Sequence, residues 1–195
     1  MITAGDGDKQ RLRAAMRARR MAIPLASREA GAMCLARQGL ACLEQAPAGC
    51  LSGYLAIAGE LDPLTLMERC RAAGAALALP VVVGKGAPLV FRAWTSGDPL
   101  AGRAWGIREP IESAPELVPD LLLVPLLAVD RAGWRLGYGG GFYDRTIRAL
   151  RAWKPIVAIG IAFDEQIVDA VPHSVYDERL DWVLTPSGPI DCRER

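Results

Sequence analysis

The apolar positions of this chain change period along its length, and the changes divide it into helices and strands. From Lys9 to about Met21 the spacing predicts a helix. Leu12 and Met16 form a small apolar stripe, while Lys9, Arg13, Arg17 and Arg20 share another face. Asp8 is placed to cap it, and Ile23-Pro24 ends it, because the residue before a proline avoids the helical region. Ser27 is placed to cap a second helix reaching about Leu43, with Leu35, Leu40 and Leu43 on its apolar side, and Ala46-Pro47-Ala48-Gly49 reads as a turn. Cys50 to Ala58 reads as a buried strand. A helix then starts at Pro63, a residue suited to a first turn, and stops at Gly74. Ala76 to Val83 and Leu89 to Trp94 read as strands joined by the hairpin signal Gly84-Lys85-Gly86. Thr95 to Gly102 is expected as loop, Trp105 to Pro110 as a short ordered stretch, and Pro115 to Pro119 as a connector. The apolar runs Leu121 to Val129 and Pro155 to Phe163 suit strands covered on both faces. Between them, Phe142 to Trp153 has helical spacing. Asp164 to Ala170 reads as a short helix or turn, Leu180 to Leu184 as the last ordered stretch, and the polar tail from Pro186 as loose. Strands alternating with helices predict an α/β fold with a mainly parallel sheet. With no repeat or linker in 195 residues, a single domain over 1–195 is expected.

Composition narrows the function classes. The net charge is +1, so no basic excess argues for nucleic acid. The longest apolar runs contain prolines and fall far short of a membrane span, and Met1 to Asp8 lacks the apolar core of a secretion signal. The cysteines, Cys34, Cys42, Cys50, Cys70 and Cys192, are odd in number and form no Cys-x-x-Cys, which suits reduced thiols in a cytoplasm. With His173 as the single histidine, a structural zinc site is not expected.

The candidate chemistry concentrates in Arg135-Leu136-Gly137-Tyr138-Gly139-Gly140-Gly141-Phe142-Tyr143-Asp144-Arg145. Each ordered glycine costs roughly 0.5–1 kcal/mol relative to alanine, so a cluster of them is not selected for stability. Backbone N–H groups bared at a helix start form an anion site; the competing reading is a tight turn that only bends the chain. The spacing fits neither a Walker A loop, because Gly84-Lys85 continues into Gly86, nor the dinucleotide fingerprint, whose third glycine would fall on Phe142. Asp144, in the first helical turn, suits either capping or magnesium beside a phosphate. Lys9 and Arg13 either belong to a solvated basic face or point at the bound phosphates. Glu60, just past a strand end, is either a loop acid or a ligand-binding carboxylate. Trp105 is either core or a stacking platform for a planar ligand.

The stretch Val124 to Asp130, followed by Gly133-Trp134 and the glycine loop through Arg145, closely resembles the signature of the 5-formyltetrahydrofolate cyclo-ligase family. Similar matches run along the chain: Lys9-Gln10-Arg11-Leu12-Arg13, Glu60-Leu61-Asp62, Gly106 to Pro110, and Pro172 to Asp181. The resemblance implies a phosphosugar-isomerase-like three-layer α/β sandwich and ATP-dependent conversion of 5-formyltetrahydrofolate to 5,10-methenyltetrahydrofolate, with magnesium and with ATP as co-substrate. It implies ATP contacts at Lys9, Gln10, Arg11, Leu12 and Arg13, and along the loop at Arg135, Leu136, Gly137, Tyr138, Gly139, Gly140, Gly141, Phe142 and Tyr143. Lys9, Arg13 and Tyr143 are the expected catalytic residues. Leu55, Glu60 and Trp105 are expected on the folate, and Asp144 and Asp177 on the metal. The chain departs from the family pattern at Tyr176, where many members have histidine, and at Tyr138 and Gly140, where some carry basic residues. Its partners are expected to be small molecules, with no nucleic acid and no membrane, and the protein to be a cytoplasmic monomer. Alternatives are a different ATP-dependent small-molecule kinase or ligase on the same scaffold, or a non-catalytic nucleotide- or RNA-binding relative.

Overall fold

The computed structural model describes residues 4–43, 49–102 and 107–193, with side chains described from residue 7 onward and, in the second helix, up to residue 39. Trp105, Gly106 and the turn proposed at Ala46-Pro47-Ala48 lie outside the described residues.

An eight-stranded sheet forms the middle layer. Its strands are β1 (Cys50–Ser52), β2 (Ala76–Val81), β3 (Val90–Ala93), β6 (Glu116–Leu117), β7 (Leu121–Pro125), β10 (Val157–Ile161), β11 (Trp182–Thr185) and β12 (Gly188–Asp191), in the order β12-β11-β10-β7-β1-β2-β3-β6. The five inner strands from β11 to β2 are mutually parallel, and antiparallel partners close both edges. Two short hairpins, β4 (Leu100–Gly102) with β5 (Arg108–Pro110) and β8 (Ala128–Val129) with β9 (Arg135–Leu136), lie outside that sheet.

The alternation along β7 explains the layering. Leu121 and Leu123 join a core with Leu35 of α2 (Leu25–Leu43) and with Leu66 and Met67 of α3 (Leu64–Ala72). Leu122 and Val124 turn the other way, toward Ile147 of α4 (Phe142–Trp153). Both faces of β7 are therefore buried, as the continuous apolar run predicts. A third, smaller cluster joins Met16 of α1 (Ala4–Met21) to Leu127, Ala128 and Leu136. This contact lays α1 across the β8–β9 hairpin, beyond the carboxyl end of β7.

Several boundaries differ from the expectation. The first helix begins at Ala4, so Asp8 lies inside it and pairs with Arg11 at 2.5 Å instead of capping. The second begins at Leu25, directly after Pro24, whose carbonyl receives the Arg28 amide, so Ser27 is helical rather than a cap. The strand expected over Cys50 to Ala58 stops at Ser52, because Tyr54 turns into the core and donates its hydroxyl to Leu61 O at 2.7 Å. The run Leu121 to Val129 breaks at Pro125, and β8–β9 intervenes before the glycine loop. Only Asp164–Gln166 of the expected short helix is helical, as a 3₁₀ turn. The tail after Pro186 is not loose: Gly188 to Asp191 pairs along β11.

Candidate functional site

Loops at the carboxyl ends of adjacent parallel strands converge under α1, the position where open α/β sheets bind ligands. The chain leaving β1 carries Leu55 and Glu60. The chain leaving β7 passes through β8–β9 into the glycine loop, and α1 spans both. Arg13 Nε donates to Gly137 O at 3.0 Å, which pins the loop to the helix. Gly139 and Gly141 have φ of 102° and 64°, left-handed values that favour glycine. Gly137 needs neither explanation: its φ is not positive, and a Cβ there would meet nothing within 4 Å. Gly141 is the N-cap of α4, and no side chain caps the helix, so its first amides are left available to an anion.

At one end of the loop the charges pair directly. Arg135, with a side chain only 4% exposed, donates to Asp144 Oδ1 at 2.7 Å and to Glu178 O. Asp144 Oδ1 also accepts the Glu178 amide at 3.1 Å. It makes no capping hydrogen bond to its own helix, although it sits in the first turn, where the helix dipole favours a carboxylate. Burial lowers the Arg135 pKa, opposed by the charges of Asp144 and Asp177, but an arginine stays protonated regardless. Lys9 Nζ donates to Asp177 Oδ2 at 2.8 Å, and Ser174 donates to the same oxygen from its amide at 2.7 Å and its hydroxyl at 2.9 Å. Burial opposes the Asp177 charge, but the Lys9 and Ser174 donors outweigh it and hold the carboxyl below the usual range. These bonds occupy one oxygen of each carboxylate. Asp144 Oδ2 and Asp177 Oδ1 have no hydrogen-bond partner among the described residues. Two carboxylates, each with an open oxygen, beside a bare-backbone loop fit the magnesium preference for one or two carboxylates plus phosphate oxygens.

At the other end the charges are buried. Glu60 and Arg20 have side chains 5% and 1% exposed, 3.8 Å apart. Tyr138 of the glycine loop bridges them: its hydroxyl donates to Glu60 Oε1 and accepts from Arg20 Nη2 at 2.7 Å. The Ile57 amide donates to Glu60 Oε2 at 3.0 Å. Burial pushes the Glu60 carboxyl up, against the pull of the Tyr138 and Ile57 hydrogen bonds and of Arg20. Arg20 also donates to Leu126 O and Ala58 O. Glu60 borders an open cleft of about 360 Å³ with Leu25, Arg28 and Ala32 of α2 and with Ile57 and Gly59, a volume within the range of ligand sites.

The remaining positions divide by exposure. Gln10 and Arg11 face solvent, Leu12 packs on the α1 cluster, and Leu136 is buried. Leu55 packs on the main core at the root of the Glu60 segment. Phe142 and Tyr143 pack against the α4 core, where the Tyr143 hydroxyl is buried without a hydrogen-bond partner among the described residues. Its pKa is raised by burial and by the nearby Glu60 charge. Tyr176 is exposed. Sequence reasoning put Arg20 on the basic face of the first helix, left open whether that face is solvated, and missed the Tyr138–Glu60 bond. The helical period does put Arg20 with Arg13 and Arg17, but burial depends on the two loops folded over it, which the period does not report.

Comparison with known proteins agrees with this fold. The model of the 5-formyltetrahydrofolate cyclo-ligase family matches residues 6–186. A 5-formyltetrahydrofolate cyclo-ligase from Mycolicibacterium smegmatis is 33% identical over 193 residues, covering 93% of this chain and 95% of that one. A solved structure of a 5,10-methenyltetrahydrofolate synthetase from Aquifex aeolicus superposes with a TM-score of 0.72 at 26% identity, over 96% of this chain and 94% of that one. A 5,10-methenyltetrahydrofolate synthetase from Mycoplasma pneumoniae shares the fold, with a TM-score of 0.74 at 21% identity over 92% of this chain and 99% of that chain. With the signature loop, the amino-terminal Lys9 to Arg13 stretch and Glu60 gathered at one end of the sheet, and with the family match spanning nearly the whole sequence, the chain belongs to the 5-formyltetrahydrofolate cyclo-ligase family.

Proposed function

We propose that the chain acts as a single domain that converts 5-formyltetrahydrofolate and ATP to 5,10-methenyltetrahydrofolate, ADP and phosphate. The observation that carries this reading is the contact between Tyr138 and Glu60, which joins the phosphate-type loop to a buried carboxylate in one site.

The chemistry explains why such a site suffices. In the formamide, the N5 lone pair is delocalised into the carbonyl, and the formyl oxygen is a poor leaving group. When that oxygen attacks the γ-phosphorus, the bond to the bridging oxygen breaks and ADP departs. The formyl carbon, now bearing the phosphorylated oxygen, is then open to N10 of the same molecule. Ring closure forms the C–N10 bond, releases the N10 proton, and breaks the C–O bond to expel phosphate. An intramolecular attack of this kind can reach a large effective molarity, so the protein mainly positions the reactants and stabilises charge. In this reading Lys9, Arg13 and the amides from Gly137 to Tyr143 bind the nucleotide phosphates, with Gln10, Arg11, Leu12, Arg135 and Leu136 flanking them. Glu60 accepts from the polar edge of the pterin, Leu55 lines its apolar side, and Trp105 or Tyr143 stacks on it. Asp144 and Asp177 would hold magnesium, which supplies charge neutralisation on the β- and γ-phosphates.

Among the described residues no helix is long and apolar enough to cross a membrane. The proposal includes a cytoplasmic monomer whose partners are small molecules and not nucleic acids. The test is an assay of purified protein with ATP, magnesium and 5-formyltetrahydrofolate, read by the absorbance of the methenyl product. Accumulation of product with ADP is the expected result; folded protein that gives none overturns the reading.

A further inference from the structure

We propose that Tyr138, held by Arg20, is a positioning residue for the folate: its hydroxyl fixes the Glu60 carboxylate in the orientation that receives the pterin edge. The inference rests on the reading above that Glu60 binds the pterin, and it assigns a role to a side chain whose neighbours in the loop serve the nucleotide through backbone.

A carboxylate that must accept hydrogen bonds from a ligand has to be charged and must keep one oxygen in a fixed place. Burial works against both requirements, because desolvation favours the neutral acid. Here Glu60 Oε2 is held by the Ile57 amide and Oε1 by the Tyr138 hydroxyl. Arg20 is too far from Glu60 for a direct hydrogen bond, at 3.8 Å, but donates to the tyrosine oxygen at 2.7 Å. A hydroxyl that accepts from a guanidinium becomes a stronger donor, so Arg20 supports the carboxylate through Tyr138. The arginine cannot swing away, because it also donates to Leu126 O and Ala58 O. The guanidinium carbons of Arg17 and Arg20 lie 5.4 and 5.6 Å from the Tyr138 ring centroid, within cation–π reach. One side chain of an otherwise bare loop is thus locked by two cations of α1 and aimed at the one buried carboxylate of the neighbouring loop.

The titratable and charged groups around Glu60 are Arg20 from α1, Tyr138 from the loop, Tyr143 from α4 and Tyr54 from its own segment. Arg28, Glu29 and Asp62 share the cleft wall with it. Of these, Tyr138, with the Ile57 amide and Arg20, lowers the Glu60 pKa against burial. Losing the hydroxyl therefore moves the Glu60 titration to higher pH.

The experiment compares Tyr138→Phe, Glu60→Gln and the double variant by steady-state kinetics with 5-formyltetrahydrofolate and ATP varied separately. Tyr138→Phe keeps the ring against the arginines and removes only the hydroxyl. The expected result is a rise of about tenfold in KM for the folate, the scale of one hydrogen bond to a charged group. The change in KM for ATP stays within about threefold, and the acid limb of kcat/KM for folate shifts to higher pH. In the Glu60→Gln background the same substitution adds no further loss, because its effect runs through the carboxylate. The inference is overturned if Tyr138→Phe leaves the folate KM unchanged, or if its effect and that of Glu60→Gln multiply independently. A Glu60→Gln variant with an unaltered folate KM would remove Glu60 from the pterin site, and the inference with it.

Discussion

The two ends of the site handle charge in opposite ways. Beside α4, Lys9–Asp177 and Arg135–Asp144 are direct ion pairs at 2.8 and 2.7 Å, and their carboxylates remain a fifth to a quarter exposed. Beside α2, Glu60 and Arg20 are almost fully buried, stand 3.8 Å apart, and are joined through a neutral hydroxyl. In the proposed reading, the charges of the first arrangement satisfy one another until a polyanion and its cation arrive, and then exchange partners. The second is fixed in advance and changes little. A triphosphate, highly charged and well hydrated, suits the former. A flat heterocycle with a few hydrogen-bonding atoms suits the latter, where a buried polar group of fixed direction discriminates strongly.

The largest effect is expected at Asp144. Asp144→Asn keeps the shape but removes the charge that balances Arg135 and one oxygen proposed for the metal. Turnover should fall about 100-fold or more, corresponding to about 2.7 kcal/mol of lost transition-state stabilisation. Because Arg135 is buried, the same change should also cost stability, on the order of 2–3 kcal/mol. Denaturant unfolding separates the two effects from a magnesium titration of the rate. If stability falls and the residual rate keeps the magnesium dependence of the parent, Asp144 serves only to neutralise Arg135, and the exchange of partners proposed for this end is wrong.

Legibility in the sequence divides along the same line. The alternation Leu121 to Val124 reports which residues face α2 and α3 and which face α4, because both faces of a parallel strand are decided locally. The glycine loop is legible as a loop leading into a helix because its glycines and the helical spacing after it are adjacent in sequence, whereas its expected ligands come from the family resemblance. The buried end was not. Arg20 lies on the expected helical face, yet its burial is created by residues distant in sequence, Ala58 and Leu126 with Tyr138. Similarly, Gly188 to Asp191 looks polar and loose until β11 supplies its ladder. Cys50 to Ala58 has the composition of a strand, but the Tyr54 hydroxyl and the turn at Ala58 and Gly59, with φ of 47° and 76°, divert the chain into the site.

A smaller effect separates the ends without mutation. Raising the ionic strength shortens the Debye length from about 10 Å at 0.1 M toward about 3 Å at 1 M. It acts on charges near solvent far more than on buried ones. Between about 0.05 and 0.5 M salt, KM for ATP should rise about threefold or more, while the folate KM stays within about twofold. Equal sensitivity of both constants would mean that the Glu60 end is also governed by solvent-accessible charge, and the contrast between a trading end and a fixed end would fail.

The smallest effect concerns Tyr143, which lies where the ends meet. Its hydroxyl is buried without a hydrogen-bond partner among the described residues. An unsatisfied buried hydroxyl costs about 1–3 kcal/mol, so its removal does not lower stability as removal of a bonded group would. Tyr143→Phe should leave the unfolding free energy unchanged or raise it by up to about 1 kcal/mol, while turnover falls. A stability retained at the expense of rate is the mark of a polar atom kept for a ligand. The melting temperature of the free protein and the rate at saturating substrates check the two halves separately. A destabilised variant would show that the hydroxyl has a structural partner after all. A stable variant of full activity would show that the phenol does nothing for catalysis, and the ends of the site would then meet through Tyr138 alone.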